Sequence, residues 1–265
     1  MEFCRWEHAS LLFLGYTLAC ALLVPGLDVS SRVRCACGCG AGVAIVFLSP
    51  LLQSYGMFWR FLMLPALVLF VGYWTSGLLF RAPSPRIESF LCAVDRALRV
   101  RQTAGAVERP AAEFLEIAYA AIYVLIPIAL AIYCSVSPPD RLDLDRFWTV
   151  VLVTDFICFA FLPWIQTRPP RALERGEPWR SSFRQLNLRV VGATSIRVNT
   201  CPSGHAAEAV AAALLVSNAL APVFAAMLFA ALAVSAGAVY GRYHYALDAI
   251  SGWMVALVVW LVIWR

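Results

Sequence analysis

Three histidines occur in 265 residues, and two of them sit where chemistry is conceivable. In "GRYHYALDAISGW", His244 and Asp248 are spaced i, i+4, which puts both side chains on one face of a helix. A carboxylate beside an imidazole orients the ring and stabilises the cation that forms when it takes a proton. The same pair also reads as a capping aspartate with a histidine at a membrane interface. In "NTCPSGHAAEAV", Ser203, Gly204 and His205 precede an apolar run. A helix start presents unpaired N–H groups and a positive dipole end, and so forms an anion site. There Gly204 would allow close backbone approach, and Ser203 could donate a hydrogen bond or simply cap the helix. His205 would stand where it can pass a proton to a leaving group. In "TRPPR", Arg168 and Arg171 read as a guanidinium clamp for an anion or as a topology anchor behind a span. Arg197 and Asn199 lie just upstream of "CPSGH" and could reach the same anion.

The elements that must position these residues are membrane helices. With 62% hydrophobic and 14% charged residues, the chain has too little polar surface for a soluble globule. A span needs about 20 mainly apolar residues. Candidate runs fall at 9–26, 41–56, 61–80, 116–136, 147–165, 205–221, 223–241 and 245–264. The second is short and carries Pro50, which suits a re-entrant or tilted segment. The expected fold is therefore an all-α polytopic bundle of six to eight transmembrane helices with its site at one interface. Residues 1–113 would form N-terminal helices and an interfacial amphipathic segment, "ESFLCAVDRALRV". Residues 114–265 would form the catalytic core of the same integral domain. The first apolar run, with no clear cleavage site after it, is expected to be a retained helix.

Between His205 and His244 there is room for one span out and one back, so both histidines reach the same membrane face. The 166–200 segment joins them there. Every one of the 21 basic residues is arginine. The histidine face carries two in 25–40, six in 81–113, seven in 166–200 and Arg242; the other face carries five. The positive-inside rule would turn the histidine face to the cytoplasm, in a multi-pass protein of the cell membrane. Most of the nine cysteines read as small buried hydrophobes, whereas Cys35, Cys37 and Cys39 could bind a soft metal or carry a lipid.

The order Arg168-Pro169, then Pro202-Ser203-Gly204-His205, then His244 and Asp248, resembles the type 2 phosphatidic acid phosphatase (PAP2) superfamily across roughly residues 150–264. The second motif of that family is intact. In the third, the usual arginine six residues before the histidine falls on Ala238, and Arg242 stands nearby. In the first, the usual lysine falls on Phe161. "RPPR" with "HYxxD" is closer to the branch of inositol-phosphorylceramide synthase-like proteins. The resemblance implies phosphoryl transfer without metal or cofactor. His244 would attack phosphorus with Asp248 behind it, and His205 would protonate the leaving oxygen and then activate water or an alcohol. Arg168, Arg171, Ser203, Gly204 and Arg242 would hold the phosphate. The implied partner is a lipid phosphate or phospholipid, with no nucleic acid, and the resemblance implies a site on the outer or lumenal face, opposite to the one the arginine distribution favours. Hydrolysis by a lipid phosphatase and transfer by a phosphotransferase differ in the acceptor alone. The rival class is a non-catalytic transporter or anion-binding membrane protein using the same arginines.

Overall fold

The computed structural model describes residues 2–52, 56–136, 140–174, 176–196 and 198–264; Arg197 lies outside the described residues. Among these, twelve α-helices form one bundle: α1 Arg5–Leu23, α2 Val29–Leu51, α3 Leu64–Gly77, α4 Pro85–Ala97, α5 Val100–Gly105, α6 Arg109–Ala120, α7 Ile122–Val136, α8 Arg141–Ala160, α9 Ser182–Thr194, α10 Gly204–Leu215, α11 Ala221–Tyr240 and α12 Ala246–Ile263. Five helical segments are long and apolar enough to cross a membrane. The pair α6 and α7, bent by 62°, makes a sixth if taken as one broken span. The chain is thus an all-α, multi-pass membrane bundle.

The apolar runs of the sequence become helical, with three changes, of which the first is that the run at 116–136 is divided between the end of α6 and α7. The run at 41–56 belongs to a 23-residue helix that begins at Val29, where Asp28 accepts the Ser31 N–H at 2.9 Å. Pro50 sits in its last turn, where it does not shorten the helix below spanning length. The run at 205–221 yields a helix of 12 residues, about 18 Å long at 1.5 Å per residue. That is well short of the roughly 30 Å hydrocarbon core. It is buried instead: Ala206, Ala207, Ala209, Ala211, Ala212 and Ala213 are fully enclosed by neighbouring helices. Small side chains let backbones approach closely, which drives helix association in lipid.

α8 is the central post. Thirteen of its 20 residues are buried, and α1, α3, α10 and α12 all pack on it. Its charged start is used rather than solvated, since Asp145 accepts the backbone N–H groups of Arg5 and Trp6 and so caps α1. At that same end a buried Glu7–Arg60 pair, joined by Ser49, ties α1 and α2 to the turn entering α3.

The cysteine cluster resolves through helical geometry. Cys35 and Cys39 share a buried face of α2, whereas Cys37 points outward and is exposed. Three thiols so arranged cannot converge on one ion, and no metal-holding group of His, Cys, Asp or Glu occurs among the described residues.

α11 approaches α6 through Gly237. A β-carbon there would lie 2.4 Å from the Leu115 carbonyl oxygen and 3.1 Å from Tyr119 Cβ. Gly237→Ala is therefore expected to cost about 1–3 kcal/mol by overpacking. Thermal unfolding in detergent checks this, and an unchanged midpoint would refute the tight contact.

Candidate active site

The site forms where α10 and α12 begin and α8 and α11 end. Asp248 does two jobs at the start of α12. Its Oδ2 accepts the Tyr245 N–H at 2.9 Å, which caps the helix, and the Asn199 Nδ2–H at 2.9 Å. Asn199 in turn donates to Thr167 Oγ1 at 3.1 Å, and its own N–H donates to the Thr167 carbonyl at 2.9 Å. The segment before α10 is thereby stitched to the segment after α8. Ser203 N–H donates to the Asp248 carbonyl at 2.9 Å, joining the starts of α10 and α12.

These bonds bring the two histidines together. The rings of His205 and His244 lie 5.6 Å apart, centroid to centroid, at 52° to one another. Both line a small pocket of about 30 Å³ with Arg171, Thr200, Pro169 and four tyrosines, Tyr73, Tyr119, Tyr123 and Tyr243. His244 Nδ1 is buried, makes no hydrogen bond and lies 3.7 Å from Asp248 Oδ2. Its backbone N–H donates to the Ala238 carbonyl at 3.0 Å. With Nδ1 turned to Asp248, Nε2 is the nitrogen presented to the pocket. A shift of about 0.8 Å would close the Nδ1–carboxylate gap to hydrogen-bond length, and such bonds commonly tighten when substrate binds.

Arg171 is held by its surroundings rather than by an acid. Its backbone N–H donates to the Arg242 carbonyl at 3.1 Å, its Nη1 reaches the Tyr243 carbonyl at 3.5 Å, and its guanidinium lies 5.2 Å from the Tyr243 ring centroid. Burial lowers its pKa from the ordinary value, yet a guanidinium stays charged.

The other sequence candidates are placed differently. The Arg168 guanidinium forms a two-bond pair with Glu88 of α4, at 3.0 and 2.9 Å, and its side chain is 44% exposed. That pairing holds the Glu88 carboxyl below the usual range. Arg242 is gripped by Asp95 at 2.6 Å and by Glu174 at 3.1 and 2.5 Å. Neither guanidinium lines the histidine pocket. Arg242 takes a left-handed φ of 62°, a conformation that costs a non-glycine residue on the order of 1 kcal/mol or more. Its two acids brace that turn two residues before His244. Burial raises Asp95 from its ordinary value, opposed by the Ala246 N–H and Arg242. Ser203 is the N-cap of α10, its Oγ accepting the Ala206 N–H at 3.3 Å, and it is fully buried. Gly204 lies against α8, where a β-carbon would meet Asp155 Oδ1 and Phe159 at 3.2 Å. Asn199 is buried behind Asp248 rather than facing the pocket. The structure thus gathers His205, His244 and Arg171 around the cavity and sets Asp248, Asn199, Ser203 and Gly204 beneath it.

Residues 146–265 match the family model of the PAP2 superfamily. This segment belongs to the PAP2 superfamily. No curated protein and no solved structure matches the chain. Within the PAP2 segment lie both histidines, Asp248 and Arg171. The tyrosine wall comes partly from outside it, since Tyr73 is on α3 and Tyr119 and Tyr123 flank the α6–α7 break.

One residue that the sequence reading passed over organises this wall. Glu116 of α6, fully buried, accepts hydrogen bonds from Trp179 Nε1 at 2.9 Å, Arg184 Nη1 at 3.0 Å, Asn187 Nδ2 at 2.7 Å and Tyr243 Oη at 2.7 Å. Tyr243 stacks on Tyr119 with centroids 4.1 Å apart, and Tyr119 lies 5.5 Å from the His205 ring. Glu116 therefore stands at the far end of a stack that leads to both histidines. The signal was present in "EFLEIAYAAIYVLI": an acid entering an apolar run, with tyrosines three and seven residues on.

Proposed function

We propose that the chain is a membrane-embedded enzyme that transfers the phosphoryl group of a phosphorylated lipid through a phosphohistidine on His244. The observation that carries this reading is the pair of imidazoles in one pocket beside a guanidinium that, among the described residues, forms no ion pair. His244 Nε2 attacks phosphorus, while Asp248 steadies the ring and the positive charge that develops on it. His205 gives a proton to the departing oxygen and recovers one from the acceptor in the second step. Arg171 meets the charge on the non-bridging oxygens, with the Thr200 and tyrosine hydroxyls as further donors. Arg168 and Arg242 serve as struts in this scheme. Water as acceptor gives a lipid phosphatase; an alcohol gives a phosphotransferase.

Turnover of a phosphorus-labelled phospholipid by the purified protein in micelles tests the scheme. Arg171→Ala is expected to lower kcat by on the order of 10²–10³-fold, as removal of a preorganised charge donor does. Arg171→Lys should restore little of it, because an ammonium lacks the planar fork. Full activity in Arg171→Ala would remove it from the site.

A further inference from the structure

The short α10 leaves room at its far end. It starts beside the histidines and stops at Leu215 after 12 residues, about 18 Å. Its neighbours α8 and α12 have 20 and 18 residues, about 30 and 27 Å, and α7 packs on it as well. Where α10 gives out, these three helices line a cavity of about 520 Å³, against about 30 Å³ for the histidine pocket. Ligand pockets span roughly 300–1,000 Å³. The cavity lies at the start of α8 and the histidines at its end, so about 30 Å of helix separates them. That is the thickness of the hydrocarbon core, which puts the cavity at the opposite membrane face.

Its lining carries both signs of charge. Asp143 and Arg146, at i and i+3 in the first two turns of α8, share one face of the helix. The Arg146 guanidinium lies 5.7 Å from the Trp264 ring centroid and, among the described residues, forms no ion pair. Asp143 Oδ2 accepts the Asp140 N–H at 3.3 Å, which uses one of about four acceptor positions on a carboxylate. Tyr133 and Trp264, which meet edge to face at 5.6 Å, supply rings together with Trp260. Ser217 and Asn218, from the turn after α10, complete the lining.

Such a set matches a ligand that itself carries both charges. A guanidinium takes two phosphate oxygens in a planar fork, and a carboxylate accepts ammonium N–H groups. Indole and phenol rings at headgroup depth pack against the connecting carbons and attract the cation. An anionic headgroup would meet the Asp143 carboxylate as well as Arg146, and an uncharged one would leave both charges unmatched in a partly enclosed site.

We infer that this cavity binds the headgroup of a zwitterionic phospholipid, with its phosphate on Arg146 and its primary ammonium on Asp143, in the leaflet opposite the histidine pocket. No imidazole lines the cavity, so the lipid is held there and fills the space that α10 leaves.

Native mass spectrometry of the whole chain in detergent tests this, with His244→Ala as the parent so that no probe is consumed at the other end of the bundle. Dioleoyl phosphatidylethanolamine and dioleoyl phosphatidylglycerol carry the same chains on a zwitterionic and an anionic headgroup. The parent should bind the first about tenfold more tightly. Arg146→Gln should weaken phosphatidylethanolamine by about tenfold or more, as loss of a charge-assisted pair of bonds does. Asp143→Asn should weaken it too and strengthen phosphatidylglycerol, bringing the two within roughly threefold. Free glycerophosphoethanolamine should bind at least about tenfold more weakly than the lipid, since it buries no acyl chain. Equal or tighter binding of phosphatidylglycerol by the parent would overturn the inference, and this comparison decides it even where a substituted chain does not fold. Unchanged phosphatidylethanolamine affinity in either folded variant would overturn it as well. A free headgroup that binds as tightly as the lipid would replace the phospholipid with a water-soluble ligand.

Discussion

His244→Ala is expected to lower phosphoryl transfer by about 10⁴-fold or more, and to abolish covalent labelling of the protein by phosphorus. Losing a nucleophile removes the two-step path altogether, and what survives is binding and electrostatic stabilisation alone. His205→Ala should cost less, about 10²–10⁴-fold, because a poor leaving group can still depart slowly without an acid. The two variants also differ in kind. Without His205 the first bond can still form, so a slow label on His244 should persist with a substrate whose leaving group needs no proton. Without His244 no such label can appear. The fold should tolerate the change, since the His244 backbone N–H, rather than its ring, makes the hydrogen bond to Ala238. Full transfer activity in His244→Ala would end the proposed role.

Glu116→Ala is expected to destabilise the protein by about 3–5 kcal/mol, the usual result of removing one member of a buried ion pair. Arg184 would keep Glu177 as a partner, but Trp179 Nε1 and Tyr243 Oη would lose the acceptor that they now share. Asn187 would retain the Glu116 backbone carbonyl, 2.8 Å away. Activity should fall as well, because Tyr243 carries Arg171 over its ring and directly precedes His244. Glu116→Gln keeps the shape and two acceptor sites, and should recover much of the stability. Tyr243→Phe isolates the hydroxyl–carboxylate bond, at about 1.5–3 kcal/mol for a bond to a charged group. Chemical denaturation in detergent measures all three. A Glu116→Ala protein as stable as the parent would show that the four bonds do not hold the site.

Much of this arrangement was legible before any coordinates. The 38 residues between His205 and His244 hold one helix out and one back, α10 and α11, so their meeting follows from helix counting even though α10 is too short to span. Apolar runs likewise marked the long helices of the bundle, and the amphipathic pattern in 81–113 marked α4, whereas α9, within the 166–200 segment, carried no such mark. What the chain conceals is pairing across long separations. Arg168 reads as a clamp in "TRPPR", but its partner Glu88 lies 80 residues earlier, and the Asp95 partner of Arg242 lies 147 residues earlier. No local pattern links an arginine after a span to an acid on an interfacial helix. Helix length was obscured in a similar way. The alanine-rich start of α10 looks like a full span by hydropathy, yet the helix ends at Leu215 and is enclosed by its neighbours rather than by lipid. Ser203 and Gly204 satisfy both of their readings by sequence, and the packing of Gly204 on Asp155 and Phe159 is visible only in three dimensions. The tyrosines were missed because aromatic residues near span ends are ordinary interface anchors.

The most direct test of the central claim is to quench the protein during turnover of a phosphorus-labelled phospholipid and map the label by peptide digestion under alkaline conditions. The label should sit on the peptide that contains His244, be lost in acid and disappear on chase with unlabelled acceptor. A label absent throughout active turnover, or carried by His205 or another residue, would contradict it.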